Sequence, residues 1–162
     1  MQAICNYTAI MDTLFSPAVL RIVQASALID ERFTGTLSAL HGVSLRDVML
    51  MLYVKNAPGS KLSRVELARR LCISPSTVTR AARPLEKIGL ITRKSDSRDA
   101  RLSYVALTSA GGKLLRHAEK TLEQLSEEFL SRSLAEEDRS HFARILSTLT
   151  SQLPGEPLSS TH

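Results

Sequence analysis

The segment CISPSTVTRAARPLEKIGL, residues 72–90, is where the fold of this chain is decided. Ser74 followed by Pro75 marks a helix start: a serine hydroxyl satisfies a free amide there, and proline at the first helical position gives up an N–H that has no partner anyway. On a wheel of about 100° per residue centred on Val78, Ala81, Ala82, Leu85 and Ile88 fall within about 80° and form one apolar side. Ser76, Arg80, Arg83 and Lys87 lie opposite, with Thr79 at the margin. Pro84 removes a bond to the carbonyl of Arg80 and predicts a bend. Upstream, SRVELARRL places Ser63 and Glu66 at capping-box spacing, so another helix begins near Arg64. Two short helices joined through Cys72 and Ile73 make a helix-turn-helix candidate. Small hydroxyl residues followed by arginines on its free face suit the major groove, where arginine donates two bonds to guanine.

Downstream, LITRKSDSRDARLSYVALT has β-prone residues, Ile91 and Thr92, then Tyr104, Val105 and Leu107, around a polar centre. Two strands and an exposed turn follow, a hairpin that projects Arg93, Lys94, Arg98 and Arg101 beside the second helix as a wing. Asp96 and Asp99 are odd in a surface built only to attract phosphate, unless a carboxylate aims an arginine. Asp99 and Arg101, two apart on one side of an extended segment, can do this, and an arginine so held could enter a narrow minor groove.

Charge supports the same reading. Residues 61–101 contain eleven Lys or Arg against four Asp or Glu, a net of +7, whereas the whole chain carries +5 and the remainder is therefore −2. Positive charge confined to one segment suggests a polyanion site; the plainer alternative is a solvated helix face.

Around this core the pattern is helical. Val19, Ile22, Val23, Ala27, Phe33, Leu37 and Leu40 recur at steps of three or four and predict a long helix from about Pro17 to Leu40. A short helix over residues 45–55 follows, with Val48, Met49 and Leu52 as its buried side, ending at the loop NAPGSK. After Thr108 as cap, Leu114, Leu115, Ala118, Leu122, Leu125, Phe129 and Leu130 predict a helix over about 109–131, longer than the winged core needs. FARILSTLTSQL repeats the pattern, and PGEPLSSTH reads as a flexible tail. The ends of the first helix and the last two helices, with their apolar stripes, could bury each other across a two-fold axis. The expected fold is mainly α with a small β-hairpin wing. Its parts are an N-terminal segment and dimerisation helix (1–44), a winged helix-turn-helix (45–108), dimerisation helices (109–153) and a tail (154–162).

In order and spacing, LARRL, SPSTVTR, LEKIGLI, DSRDAR and LTSAG within residues 66–111 resemble the winged helix-turn-helix core of the multiple-antibiotic-resistance regulator (MarR) family. The resemblance implies a homodimeric bacterial transcription regulator, mostly a repressor, that binds pseudo-palindromic double-stranded DNA. Members are often released by small aromatic or lipophilic effectors, or by cysteine oxidation. By position, Ser74, Ser76, Thr77, Thr79 and Arg80 correspond to the start of the recognition helix, and Asp99 and Arg101 to the wing pair. With Ser63, Arg64, Arg83, Lys87, Arg93, Lys94 and Arg98 they form the expected DNA-binding set. Three departures stand out: Cys72 where the family often has glycine or another turn residue, Gly111 and Gly112 where one glycine is usual, and no tryptophan.

An effector pocket is expected where the winged core joins the dimer helices, lined by Leu40, His41, Met49 and Tyr53, several of them adaptable apolar residues. Cys5 resembles the sensing cysteine of the hydroperoxide-responsive branch, a role that needs thiolate stabilisation or a resolving partner. Cys5 and Cys72 form no metal-type spacing with each other or with His41, His117, His141 and His162, so neither metal nor other cofactor is expected. No nucleotide loop or catalytic triad spacing appears, which disfavours an enzyme. No apolar run is long enough for a membrane span, and the first twenty residues lack the charged start of a secretory signal, so a cytoplasmic protein without membrane contact is expected. The rival reading is a winged helix that binds an acidic protein partner.

Overall fold

The computed structural model describes residues 17–95 and 103–151. Cys5, the hairpin tip with Arg98, Asp99 and Arg101, and the expected tail lie outside the described residues. Helix α1 is Pro17–His41 and α2 is Leu45–Lys55. A single 3-10 turn, Pro58–Ser60, leads into β1, Lys61–Ser63, then α3, Arg64–Arg70, and α4, Pro75–Lys87. Strands β2, Ile91–Ser95, and β3, Ser103–Leu107, precede α5, Ser109–Ser133, and α6, Glu136–Thr150. The architecture is mainly α with a small sheet, as the sequence predicts.

The sheet has one strand more than expected. β1 pairs antiparallel with β3, with Lys61 opposite Ala106, so the order is β1-β3-β2. The hairpin register sets Ile91 opposite Leu107 and Arg93 opposite Val105. Leu62, Ile91 and Val105 point inward from the three strands and are buried, which seats the sheet on the helical core.

Helix ends follow local chemistry. Ser44 and Asp47 form a complete capping box at α2, the serine hydroxyl accepting from the Asp47 amide at 3.2 Å and the carboxylate accepting from the Ser44 amide at 2.9 Å. At α5 the predicted cap holds: Thr108 Oγ1 accepts from the Gly111 amide at 3.0 Å. Helix α4 runs through Pro84 without interruption.

Burial corrects two expectations. In α2, Val48 is buried, but Met49 and Leu52 are only partly covered, while Leu50, Met51, Tyr53 and Val54 are buried. This central helix is covered on most sides, so a one-faced pattern misplaces its core. In α5, Leu115, Ala118 and Leu125 are buried within the chain itself, and Leu114 and Leu122 pack on the same core. The C-terminal half of α1 packs on α5, with Phe33 edge-on to Phe129 at 6.1 Å and Arg32 paired with Glu128 at 3.0 Å. Apolar surface that the single chain leaves uncovered therefore lies elsewhere: Val19, Ile22, Val23 and Leu28 of α1, and Ile145, Leu146 and Leu149 of α6.

Candidate nucleic-acid interface

Helices α3 and α4 form the helix-turn-helix. Ser63 Oγ accepts from the Glu66 amide at 3.1 Å and so caps α3. The reciprocal half of the expected capping box is not made, because the Glu66 carboxylate turns to arginine. It accepts from Arg69 Nε and Nη2 at 3.0 and 2.9 Å and from Arg70 Nε at 2.8 Å. These hydrogen bonds hold its carboxyl at about 2, well below the ordinary value of 4.5.

The turn closes on Cys72, whose φ of +53° is a left-handed conformation that side chains with a Cβ rarely adopt. Glycine would adopt this conformation without that strain. The amides of Cys72 and Ile73 bond to the Arg69 and Ala68 carbonyls and satisfy the end of α3. Ser74 Oγ then accepts from the Thr77 amide at 3.2 Å and lies 2.8 Å from Ser76 Oγ, so α4 opens on a cluster of hydroxyls.

Val78, Ala82 and Leu85 are buried and anchor α4. Ile88 is a correction: it is 59% exposed, because the helix ends at Lys87 and residue 88 leaves the apolar side. Ser76, Arg80, Arg83 and Lys87 are exposed on the free side, as expected. Thr79 is half-buried; its Oγ1 donates to the Pro75 carbonyl at 3.0 Å and accepts from Arg64 Nη1 at 3.4 Å. Arg64 thereby joins the α4 surface from α3, and Arg80 Nη2 donates to Thr77 Oγ1 at 3.3 Å.

The wing's basic residues do not all lie on one side. Successive strand residues point to opposite faces, so Arg93 shares the side of buried Ile91 while Lys94, opposite Tyr104, takes the other. Arg93 Nε lies 3.0 Å from Glu86 Oε2 of α4, and Lys61 Nζ sits over the Tyr104 ring at 4.8 Å. Sequence reasoning missed Glu86, Lys61 and Tyr104. Only the β1 pairing brings Lys61 to the wing, and a three-residue strand has no period to read.

Residues 43–103, from the residue before the α2 cap to the first residue of β3, match the family model described as MarR family. Over these residues the chain is similar to proteins of the MarR family. The MarR match is accompanied by 28% identity over 130 residues to the HTH-type transcriptional repressor Rv2887 of Mycobacterium tuberculosis, covering 80% of this chain and 91% of that one. Transcriptional regulator AdcR of Streptococcus pneumoniae is 45% identical over 47 residues, 29% of this chain and 32% of that one. Among solved structures, the transcriptional regulator BldR from Sulfolobus solfataricus superposes with a TM-score of 0.69 at 28% identity, covering 94% and 100% of the two chains. Sco3205, a MarR family regulator from Streptomyces coelicolor solved in complex with DNA, has a TM-score of 0.73 at 21% identity and covers 85% and 93%, a likeness of fold.

The glycine doubling is resolved by the α5 start of this MarR fold. A Cβ on Gly111 would stand 1.9 Å from the Leu90 carbonyl oxygen, whereas one on Gly112 meets nothing within 4 Å. Gly111 is the constrained glycine.

The four residues expected to line an effector pocket do not line one cleft. A cleft of about 730 Å³ opens between α1, the start of α2, the turn residues Leu71 and Ile73, and Phe142 and Leu146 of α6. Met49 lines it. The other three expected residues do not: Leu40 is 65% exposed, His41 Nε2 lies 2.8 Å from Thr121 Oγ1 of α5, and Tyr53 is buried in the core. The cleft is built between helices, and no single helix pattern reports such a space. Among the described residues no cluster of His, Cys, Asp and Glu could hold a metal ion, and no single helix is long and apolar enough to cross a membrane.

Proposed function

We propose that this chain is a transcription regulator that binds double-stranded operator DNA as a homodimer and acts as a repressor. The observation that carries the reading is the exposed side of α4. Buried Val78, Ala82 and Leu85 hold the hydroxyls of Ser74, Ser76 and Thr77 and the cations Arg80, Arg83 and Lys87 out from the core. Arg64 extends the same surface from α3. Small groups at a helix start approach base edges closely, and the cations behind them reach phosphate or guanine. The repressor sign comes from the name of the M. tuberculosis relative.

The homodimer rests on the uncovered apolar faces of α1 and α6. Two copies that bury these faces around a two-fold axis present two recognition helices to successive major grooves, about 34 Å apart, on a pseudo-palindromic site. The cleft supports a reading in which a bound effector releases DNA. Its walls are mainly apolar, with Asp30 and Arg46 among them, and suit a small aromatic or lipophilic effector. A panel of such compounds tests it: the binder raises the unfolding temperature and frees DNA, and a panel that does neither sinks the effector reading. In this function the protein is not an enzyme and works in the cytoplasm.

Selection of bound fragments from the source genome, followed by titration at several salt concentrations, tests the central reading. One duplex sequence should bind at least about a thousandfold more tightly than random DNA, with affinity falling steeply as salt rises. Binding without sequence preference would move the basic surface to the acidic-protein alternative.

A further inference from the structure

Recognition helix and wing meet at a corner, residues 88–90, that is held differently on its two sides. On the inner side the backbone is locked. The Leu90 amide donates to the Leu85 carbonyl at 2.9 Å, Thr108 Oγ1 donates to the Gly89 carbonyl at 2.6 Å, and Gly111 packs directly beneath the Leu90 carbonyl. Gly89, at φ +75°, supplies the left-handed turn the corner requires. On the outer side, α4 and β2 are joined by the Glu86–Arg93 contact at 3.0 Å, between side chains that are 35% and 42% exposed.

We propose that Glu86 is a positioning residue for DNA binding: its carboxylate holds the Arg93 guanidinium against α4 and so fixes the angle at which the wing stands beside the recognition helix. This rests on the DNA-binding reading above. A carboxylate on a surface that attracts phosphate costs affinity through its charge. Its presence at the end of α4, next to Lys87, is accounted for if what it gains is geometry. The strand register provides that gain, because Arg93 sits on the side of β2 that faces the helix, while Lys94 is on the other. A long side chain restrained before binding loses less entropy when DNA arrives.

The test is a double-mutant cycle on the full chain, titrated at one salt concentration against the selected operator and a random duplex. Glu86→Gln should bind the operator about fivefold more weakly per protomer, the scale of an exposed ion pair, while random-duplex binding is unchanged or tighter. Arg93→Gln should lose a similar factor on the operator, and the double variant should be no worse than the weaker single variant. Arg93→Lys, which keeps charge and reach, should stay within about twofold of wild type. Charge alone predicts otherwise: Glu86→Gln tightens both duplexes, Arg93→Gln weakens both, and the double variant returns to wild type. That pattern overturns the proposal, as does a Glu86→Gln protein indistinguishable from wild type on both duplexes. A wild type without sequence preference would fail the DNA-binding reading itself, a result separate from either. Both side chains reach solvent and neither belongs to the core, so urea midpoints should match and keep folding out of the comparison.

Discussion

Gly111 and Gly112 are neighbours in α5 with opposite constraints, and they make the cleanest contrast at the scale of single residues. Gly111→Ala forces a methyl group into the Leu90 backbone, so we expect a loss of about 1 to 3 kcal/mol or more in urea unfolding. Gly112→Ala meets open space inside a helix and should be neutral or stabilising by up to about 1 kcal/mol. Equal effects would mean that the close approach at Leu90 relaxes freely. At the proposed DNA surface, Arg80 is exposed on the free side of α4 and its guanidinium donates to Thr77. Arg80→Ala should cost the operator about 1 to 3 kcal/mol and random duplex distinctly less. An equal loss on both would make Arg80 a phosphate contact. Thr79, expected beside it as a base-reading residue, has its hydroxyl engaged by Pro75 and Arg64.

Among the elements, α3 carries a pH signature. The Glu66 carboxyl, held at about 2 by hydrogen bonds first from Arg69 and then from Arg70, stabilises the folded chain at pH above its ordinary 4.5. That contribution is lost as pH falls from 4.5 toward 2, because the unfolded chain takes up the proton first. Glu66→Gln should therefore unfold at lower urea than wild type at pH 7, with the two converging toward pH 2. A gap that stays constant with pH would assign the effect to packing. Element boundaries were legible where the signals are local: the starts of α2, α3, α4 and α5 fall at the expected residues, since proline and capping hydroxyls act within one turn. What was not legible depends on residues far apart in sequence. β1 exists because β3, some forty residues later, offers it hydrogen bonds, and Glu66 abandons its cap because two arginines stand one turn away. The exposed face of α4 was readable from a wheel; the placement of Arg93 on the α4 side and Lys94 on the other was not, because it depends on strand register.

For the whole molecule, the uncovered apolar surfaces and the cleft share residues. Ile22, Val23 and Leu146 belong to both, so the cleft opens onto the surface proposed for the two-fold contact. Ile145 and Leu149 are half-exposed in the single chain, and replacing both with Asp should leave the fold intact. In sedimentation, the mass should drop from about twice 17.8 kDa to 17.8 kDa, with operator binding lost along with it. A wild type that sediments as a monomer at micromolar concentration would rule out the dimer. The bare contact between Gly111 and the Leu90 carbonyl has a mechanical meaning on this scale. With no side chain to cushion it, the root of α5 bears directly on the corner that carries the recognition helix and wing. Helix α5 spans 25 residues, about 37 Å. A tilt of about 5° about that root displaces its far end by about 3 Å over this length. Any such tilt, shared with α1, which packs along it, would reach the joint of α4 and β2 through a glycine and not through a compressible side chain.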